Sequence, residues 1–218
     1  MRIIAILAKK SIVFLLSSNL WEIISIFVST IIWFWVIWWR DLAILSATQL
    51  LWVNLLTDSL PAIALWMEKW DDDVMKEKPR KEWEWFFAGG TLKQIIIVWT
   101  IIWLSTIAAF AIWYSENLWE EYARTMAFLT LVAWQLFYSF SLRNDHKTVL
   151  KLGLFSNIYL VWAVLISVLL QIAIILIPFF REAFGLQIIS LRDLAIVIWL
   201  GSIPFIAMEI RKMFLKKK

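Results

Sequence analysis

The chain has 218 residues, 62% of them apolar and 17% charged, with a mean hydropathy of +0.78. A soluble globular chain runs nearer ~45–50% apolar and about 25% charged, so an ordinary water-soluble domain is excluded and an all-α integral membrane protein is expected. The formal charge is +4; there is no cysteine and one histidine, which excludes disulfide frameworks, Cys-ligated zinc, thiol nucleophiles and multi-His metal sites.

Six apolar stretches reach the ~20 residues that a membrane-spanning helix needs: 11–33, 43–67, 91–113, 122–142, 155–177 and 194–214. The first is preceded by Lys9 and Lys10 and has no small-residue cleavage site after it, so it does not read as a signal peptide. Short connections carry Arg40-Asp41, Ser115-Glu116-Asn117 and Arg181-Glu182; the longest polar segment is 68–90. With the N-terminus inside, 17 of the 21 Lys and Arg fall on the inner side and 4 (Arg40, Arg124, Arg181 and Arg192) on the outer. Basic residues favour the cytoplasmic side, so both termini are expected in the cytoplasm and the protein in the plasma membrane. The Lys216, Lys217 and Lys218 tail then lies near anionic lipid rather than nucleic acid. His146 falls in an exposed loop, and the acidic run 71–73 reads as a solvated loop face. There is no nucleotide-binding glycine loop and no repeat array.

Ionisable and amide side chains inside hydrocarbon are costly and default to functional hypotheses. In the first span, Asn19 and Glu22 are three apart and share a helix face; the plain alternative is a structural, hydrogen-bonded Glu. In the second, Asn54, Thr57 and Asp58 fall at i, i+3 and i+4, and Pro61 follows. Proline lacks an N–H and its ring clashes with the carbonyl four residues back, so the helix is expected to break near 58–61. Freed carbonyls beside an Asp suit a hard cation, and broken helices at membrane depth line cavities or are buried. Gln135 in the fourth span is either interhelical glue or a ligand. Together these groups offer carboxylate, amide and hydroxyl oxygens, the donor set of calcium, which takes six to eight oxygens. Glu22 and Asp58 would balance a divalent charge. A proton relay or a sodium site uses the same residue types, so this chemistry alone does not choose.

Lys10-Ser11, then Phe14 to Leu20, then Gln49-Leu50-Leu51-Trp52-Val53-Asn54-Leu55-Leu56-Thr57-Asp58-Ser59-Leu60-Pro61-Ala62 closely resemble the fifth and sixth membrane helices of type II P-type cation-transporting ATPases, calcium pumps in particular. Asp71-Asp72-Asp73-Val74-Met75 with Pro79-Arg80 resembles the loop that follows, which in the family faces the phosphorylation domain. Arg124 to Phe128 with Gln135-Leu136-Phe137, Leu154 to Asn157, and Glu209 to Lys212 resemble parts of the eighth, ninth and tenth helices. The resemblance runs over essentially the whole chain. It implies the last six of ten membrane helices, with Asn19, Glu22, Asn54, Thr57 and Asp58 matching the family's cation ligands by position. Gln135 stands where two-site calcium pumps carry a Glu, a departure that implies a single ion or altered ion choice.

The family's fourth helix, its phosphorylated Asp-Lys-Thr-Gly segment and its nucleotide and actuator domains have no counterpart in these residues. ATP and Mg²⁺ would act only through those domains, so this chain alone is not expected to hydrolyse ATP. A fragment of a longer gene, a split pump partnered by an N-terminal remainder, and a decayed remnant all fit, and Met1 looks like an internal start codon. The rival functions are a non-catalytic membrane scaffold and a secondary transporter or channel using the same polar core.

The 17 Trp and 5 Gly invert ordinary usage, which at ~7% would give roughly 15 Gly. Trp33, Trp35, Trp38, Trp39 and Trp113 can be read as an interfacial belt. Trp21, Trp99, Trp103, Trp134, Trp162 and Trp199 fall inside spans, and Trp21, Trp66 and Trp70 stand where the resembled family carries glycine, whereas Trp52 matches a family Trp. Most of these tryptophans are therefore expected to be glycines encoded by UGA. Small residues let membrane helices approach closely, so the literal sequence is expected to splay them.

Overall fold

A computed structural model of the chain describes residues 10–16, 18–20, 23–24, 27, 31, 44–68, 91–115, 120–144 and 147–214. Every element among the described residues is helical. Residues 10–16 and 18–20 form a leading helical stretch whose inward face carries Ser11, Phe14 and Ser18 at i, i+3 and i+7. Within the first expected span, 11–33, residues 17, 21–22, 25–26, 28–30 and 32–33 lie outside the described residues, as do the loop 69–90 and His146.

Ser46 opens the next helix with a reciprocal cap: its hydroxyl accepts the Gln49 N–H at 3.2 Å, and Gln49 Oε1 accepts the Ser46 N–H at 3.0 Å. Helix α1 (Ala47–Trp52) runs into a π-helical turn (Val53–Thr57) and resumes as α2 (Ser59–Trp66). Where a break is expected near 58–61, the chain forms a π-helical turn that ends just before Asp58 and then continues helically through Pro61. Pro61 cannot donate to the Thr57 carbonyl, and the chain accommodates this by loosening its register instead of ending. The Asp58 N–H reaches back five residues to Val53 O at 2.9 Å, and the Ser59 hydroxyl covers Asn54 O at 3.0 Å. Regular bonding then resumes from Ala62 N–H to Asp58 O at 3.1 Å.

Helix α3 (Thr91–Ser115) and helix α4 (Glu120–Ser141) follow, then the short α5 (Val149–Leu152). Gly153 ends α5 at φ +83°, a left-handed cap that a side chain would strain. A 3₁₀ turn (Leu154–Ser156) leads to Asn157, whose side chain accepts the Leu160 N–H at 3.0 Å and caps α6 (Ile158–Leu176). Helix α7 (Pro178–Ala183) starts on proline, and α8 (Leu191–Phe214) stays helical through Pro204.

Among the described residues, three helical segments are long and apolar enough to cross a bilayer: Ile96–Tyr114 within α3, Ile158–Leu176 (α6) and Leu191–Phe214 (α8). Helix α4 has 22 residues but is enclosed by protein, packing against α3, α8, α2 and the π turn. A helix shielded this way is released from the demand for a lipid-soluble surface and tolerates Thr125, Thr130, Gln135 and Ser139, all buried. Where α4 meets α8 the backbones are close: a Cβ on Gly201 would lie 2.5 Å from Ala133 Cβ. The expected splaying of helices is absent at this crossing.

Both ends of the bundle are tied by polar groups, largely buried at one end and half-buried at the other. At one end the Arg143 guanidinium makes a two-pronged pair with Glu68, Nε to Oε2 at 2.9 Å and Nη2 to Oε1 at 3.0 Å, and donates from Nη1 to Gly153 O at 2.9 Å. Asn157 Nδ2 adds bonds to Glu68 Oε2 at 2.6 Å and Ala64 O at 3.2 Å, and Lys10 Nζ donates to Arg143 O. This joins the leading stretch, α2, α4 and α6 in one node. Beside it, Lys212 Nζ bonds Glu209 Oε1 at 2.6 Å and Ser141 O at 2.5 Å. At the other end Asp193 accepts from Trp113 Nε1 at 3.2 Å, from the Tyr122 hydroxyl and from the Ser190 hydroxyl at 2.8 Å.

Candidate cation site

Four polar side chains from three helical pieces meet inside the apolar bundle. They are Ser18 of the leading stretch, Thr57 and Asp58 at the π turn, and Gln135 of α4; each is at most 1% exposed. A carboxylate in such a place is costly unless hydrogen bonds replace its water. Ser18 supplies one, its hydroxyl donating to Asp58 Oδ2. Gln135 Nε2 donates in turn to Ser18 Oγ at 2.8 Å. The Thr57 hydroxyl lies 3.1 Å from Gln135 Oε1 and 2.9 Å from Val53 O, and can give its proton to one at a time. Because Thr57 and Asp58 are adjacent, these bonds close a ring. The donors along Gln135 and Ser18 point the same way and end on the carboxylate, an ordering in which each bond polarises the next.

Thr57 and Asp58 at the end of the π turn are buried, while Asn54 within it is exposed. Of the residues expected from the sequence, the structure brings together Thr57, Asp58 and Gln135. Asn19 and Asn54 are exposed, and Glu22 lies outside the described residues. Ser18 was not expected from the sequence. Its signal is the spacing Ser11, Phe14, Ser18, which marks the buried face; Ser11 Oγ donates to Ala62 O at 2.8 Å on that face.

Carboxylate, hydroxyl and amide oxygens, with no nitrogen or sulfur donor, match a hard cation. Among the described residues no group of three or more His, Cys, Asp or Glu assembles. A cation at the described part of this cluster would therefore meet one carboxylate and several neutral oxygens. Gln135 uses both faces of its amide inside the ring, as a bridge between Ser18 and Thr57.

The tryptophans divide by their surroundings. Trp52 Nε1 donates to Gln171 Oε1 at 3.2 Å, and its ring packs edge-on against Phe184 with centroids 5.2 Å apart. Trp103 and Trp134 bury their indole N–H with no hydrogen-bond partner. Trp66, Trp162 and Trp199 are exposed.

The family model described as "Cation transporting ATPase, C-terminus" matches residues 42–214. The chain is 40% identical over 221 aligned positions to Calcium-transporting ATPase 1 of Bacillus cereus, covering 94% of this chain and 24% of that protein. It is 38% identical over 202 positions to the Calcium-transporting ATPase of Bacillus subtilis (90% and 21%), and 32% identical over 176 positions to Calcium-transporting ATPase 1 of Saccharomyces cerevisiae (80% and 18%). The chain thus spans no more than a quarter of the length of these curated relatives. It belongs to the P-type cation-transporting ATPases and corresponds to their C-terminal, multi-pass membrane domain.

Proposed function

We propose that this domain supplies the intramembrane cation ligands of an ATP-driven calcium pump. The observation that carries the reading is a carboxylate, Asp58, held fully inside an apolar bundle by the ring of Ser18, Gln135 and Thr57. A merely structural carboxylate is a poor choice there, because a neutral or apolar side chain would avoid the desolvation cost. Calcium is the proposed cargo because the relatives are calcium-transporting by name and the donor set is oxygen-only.

In this reading Asp58 is one charged ligand. Glu22, four residues after Ser18, is the second, so that the pair balances a divalent charge. Asn19, Asn54 and Thr57 are neutral ligands, and Gln135 fills the position of a further carboxylate with an amide bridge, which favours a single ion. ATP and Mg²⁺ act through an N-terminal remainder of the pump, in the same gene or a separate chain. The distribution of basic residues supports both termini in the cytoplasm, with the pump in the plasma membrane.

The test is calcium uptake and calcium-dependent ATPase in membranes that carry this chain together with the phosphorylation, nucleotide and actuator domains. Asp58→Ala is expected to abolish both, and Asp58→Asn, which keeps shape and removes charge, to lower calcium affinity severely. Unchanged calcium dependence in either variant removes Asp58 from the ligand set.

A further inference from the structure

The connection between α4 and α6 presents a surface that the cation site does not use. Leu150 of α5 is 95% exposed and Phe155 of the 3₁₀ turn 73%, with Leu154 and Ile158 also exposed beside them. This backbone is held in place. Arg143 binds Gly153 O at 2.9 Å and the Ser156 hydroxyl, Glu209 Oε2 takes the Val149 N–H at 2.7 Å, and the Ser156 hydroxyl donates to Gly153 O at 2.8 Å. Buried Arg143 and half-buried Glu209 therefore fix the segment with its large apolar side chains turned outward. Each such side chain forgoes roughly 25 cal/mol per Å² if it faces water, so a built patch of this kind marks a partner.

The fold indicates which partner. The patch is continuous with the outward face of α6 through Ile158 and Tyr159, both exposed. Helix α6 has 19 residues, all but a few apolar. At ~1.5 Å per residue it is about 28 Å long, close to the ~30 Å thickness of the hydrocarbon core. At its far end Phe179 and Phe180 are also exposed. Aromatic side chains at both ends of a bilayer-length helix bracket the hydrocarbon. Leu150, Leu154 and Phe155 then sit at the boundary between headgroups and acyl chains, where exposed Lys151 can carry its charge outward to a headgroup phosphate.

We infer that residues 149–156 form an in-plane membrane anchor, with Leu150, Leu154 and Phe155 inserted at the lipid boundary and Lys151 on the phosphates. The occupant of the patch is lipid. The anchor fixes the depth of α6, and through Arg143 and Asn157 it fixes the ends of α4 and α2.

The chain has no native cysteine, so single labels are clean. Leu150→Cys and Phe155→Cys, each carrying a nitroxide, are placed in the full chain in phosphatidylglycerol–phosphatidylcholine vesicles, with Ile166→Cys as the mid-span reference. Power saturation then compares access of oxygen with access of a water-soluble nickel complex. The expected result is oxygen access above nickel access at 150 and 155, at a depth shallower than at 166. Nickel access above oxygen access at both positions would place them in water and overturn the inference. Low access to both probes would show a protein surface covering the patch and would overturn it equally.

Discussion

The Arg143 node gives the sharpest test of the fold, because its energetics follow from burial and geometry alone. Arg143 and Glu68 have side-chain exposures of 1% and 7% and meet through two parallel bonds. Arg143→Ala removes those bonds and the one to Gly153 O, and leaves the Glu68 carboxylate buried against the Asn157 amide. Removing one partner of a buried ion pair costs about 3–5 kcal/mol, mostly because the survivor is left uncompensated. At roughly 2–4 °C per kcal/mol for a chain of this size, the midpoint of thermal unfolding in detergent should fall by about 10 °C. Glu68→Met should cost a similar amount. The double variant Glu68→Met/Arg143→Met leaves no orphaned charge and should recover a large part of the loss, giving a coupling of at least ~1.5 kcal/mol in the double-mutant cycle. A single-variant loss below ~1 kcal/mol, or losses that simply add in the double variant, would refute the view that this pair ties α2 to α4.

Other substitutions probe the ring and the helix crossing. Ser18→Ala removes the donor to Asp58, a charge-assisted bond of about 1.5–3 kcal/mol, so calcium affinity in the assembled pump should shift by roughly 10- to 100-fold; an unchanged calcium titration would exclude Ser18 from the site. Gln135→Leu takes away the bridge to Ser18 and Thr57 and should cost about 1–3 kcal/mol in thermal stability as well as weakening calcium binding, whereas Gln135→Glu keeps the shape but exchanges the donor facing Ser18 for an acceptor. The affinity loss for Gln135→Glu should exceed its stability loss, and the reverse order would make Gln135 structural glue only. Gly201→Leu pushes a side chain into Ala133 and should destabilise by about 1–3 kcal/mol, with partial rescue by Ala133→Gly; full stability in Gly201→Leu would contradict the close approach of α4 and α8.

The fold class was legible because apolar runs of bilayer length have few other uses. The positions of Thr57, Asp58 and Gln135 were legible because polar side chains in such runs stand out. The face of the second span was not. An α-helical count puts Asn54 beside Asp58 on one inward face, but the chain is π-helical over 53–57, with the Asp58 N–H bonded to Val53 O, and Asn54 is exposed. Ser18 escaped notice because a hydroxyl is inexpensive in an apolar helix, bonding as easily to its own backbone as to a neighbour. Its role depends on the carboxylate 40 residues away. Arg143 read from the sequence as one more basic residue setting orientation. The structure shows it buried, because its partners come from α2 and from the turn before α6, separations that no local pattern encodes.

The packing also bears on how the tryptophans arose. A tryptophan selected for its place finds a partner for its N–H, as Trp52 does in Gln171. Trp134 is buried and Trp103 half-buried, each with its indole N–H enclosed and unpaired at a cost of about 1–3 kcal/mol. Trp134 adjoins Ala133, at the point where α4 and α8 are close enough that a Cβ on Gly201 would lie 3.1 Å from the Trp134 backbone nitrogen. Small residues make that crossing, and a glycine at 134 would extend the same small surface by one position. Codon reassignment accounts for both features. If UGA is translated as glycine, positions 103 and 134 carry TGA in the gene and position 52 carries TGG, and the intact mass of the natural protein is lower than this sequence gives by one Trp-to-Gly difference per exchange. TGG at all 17 positions would reject the reassignment and leave the two unpaired indoles as a real cost of the fold.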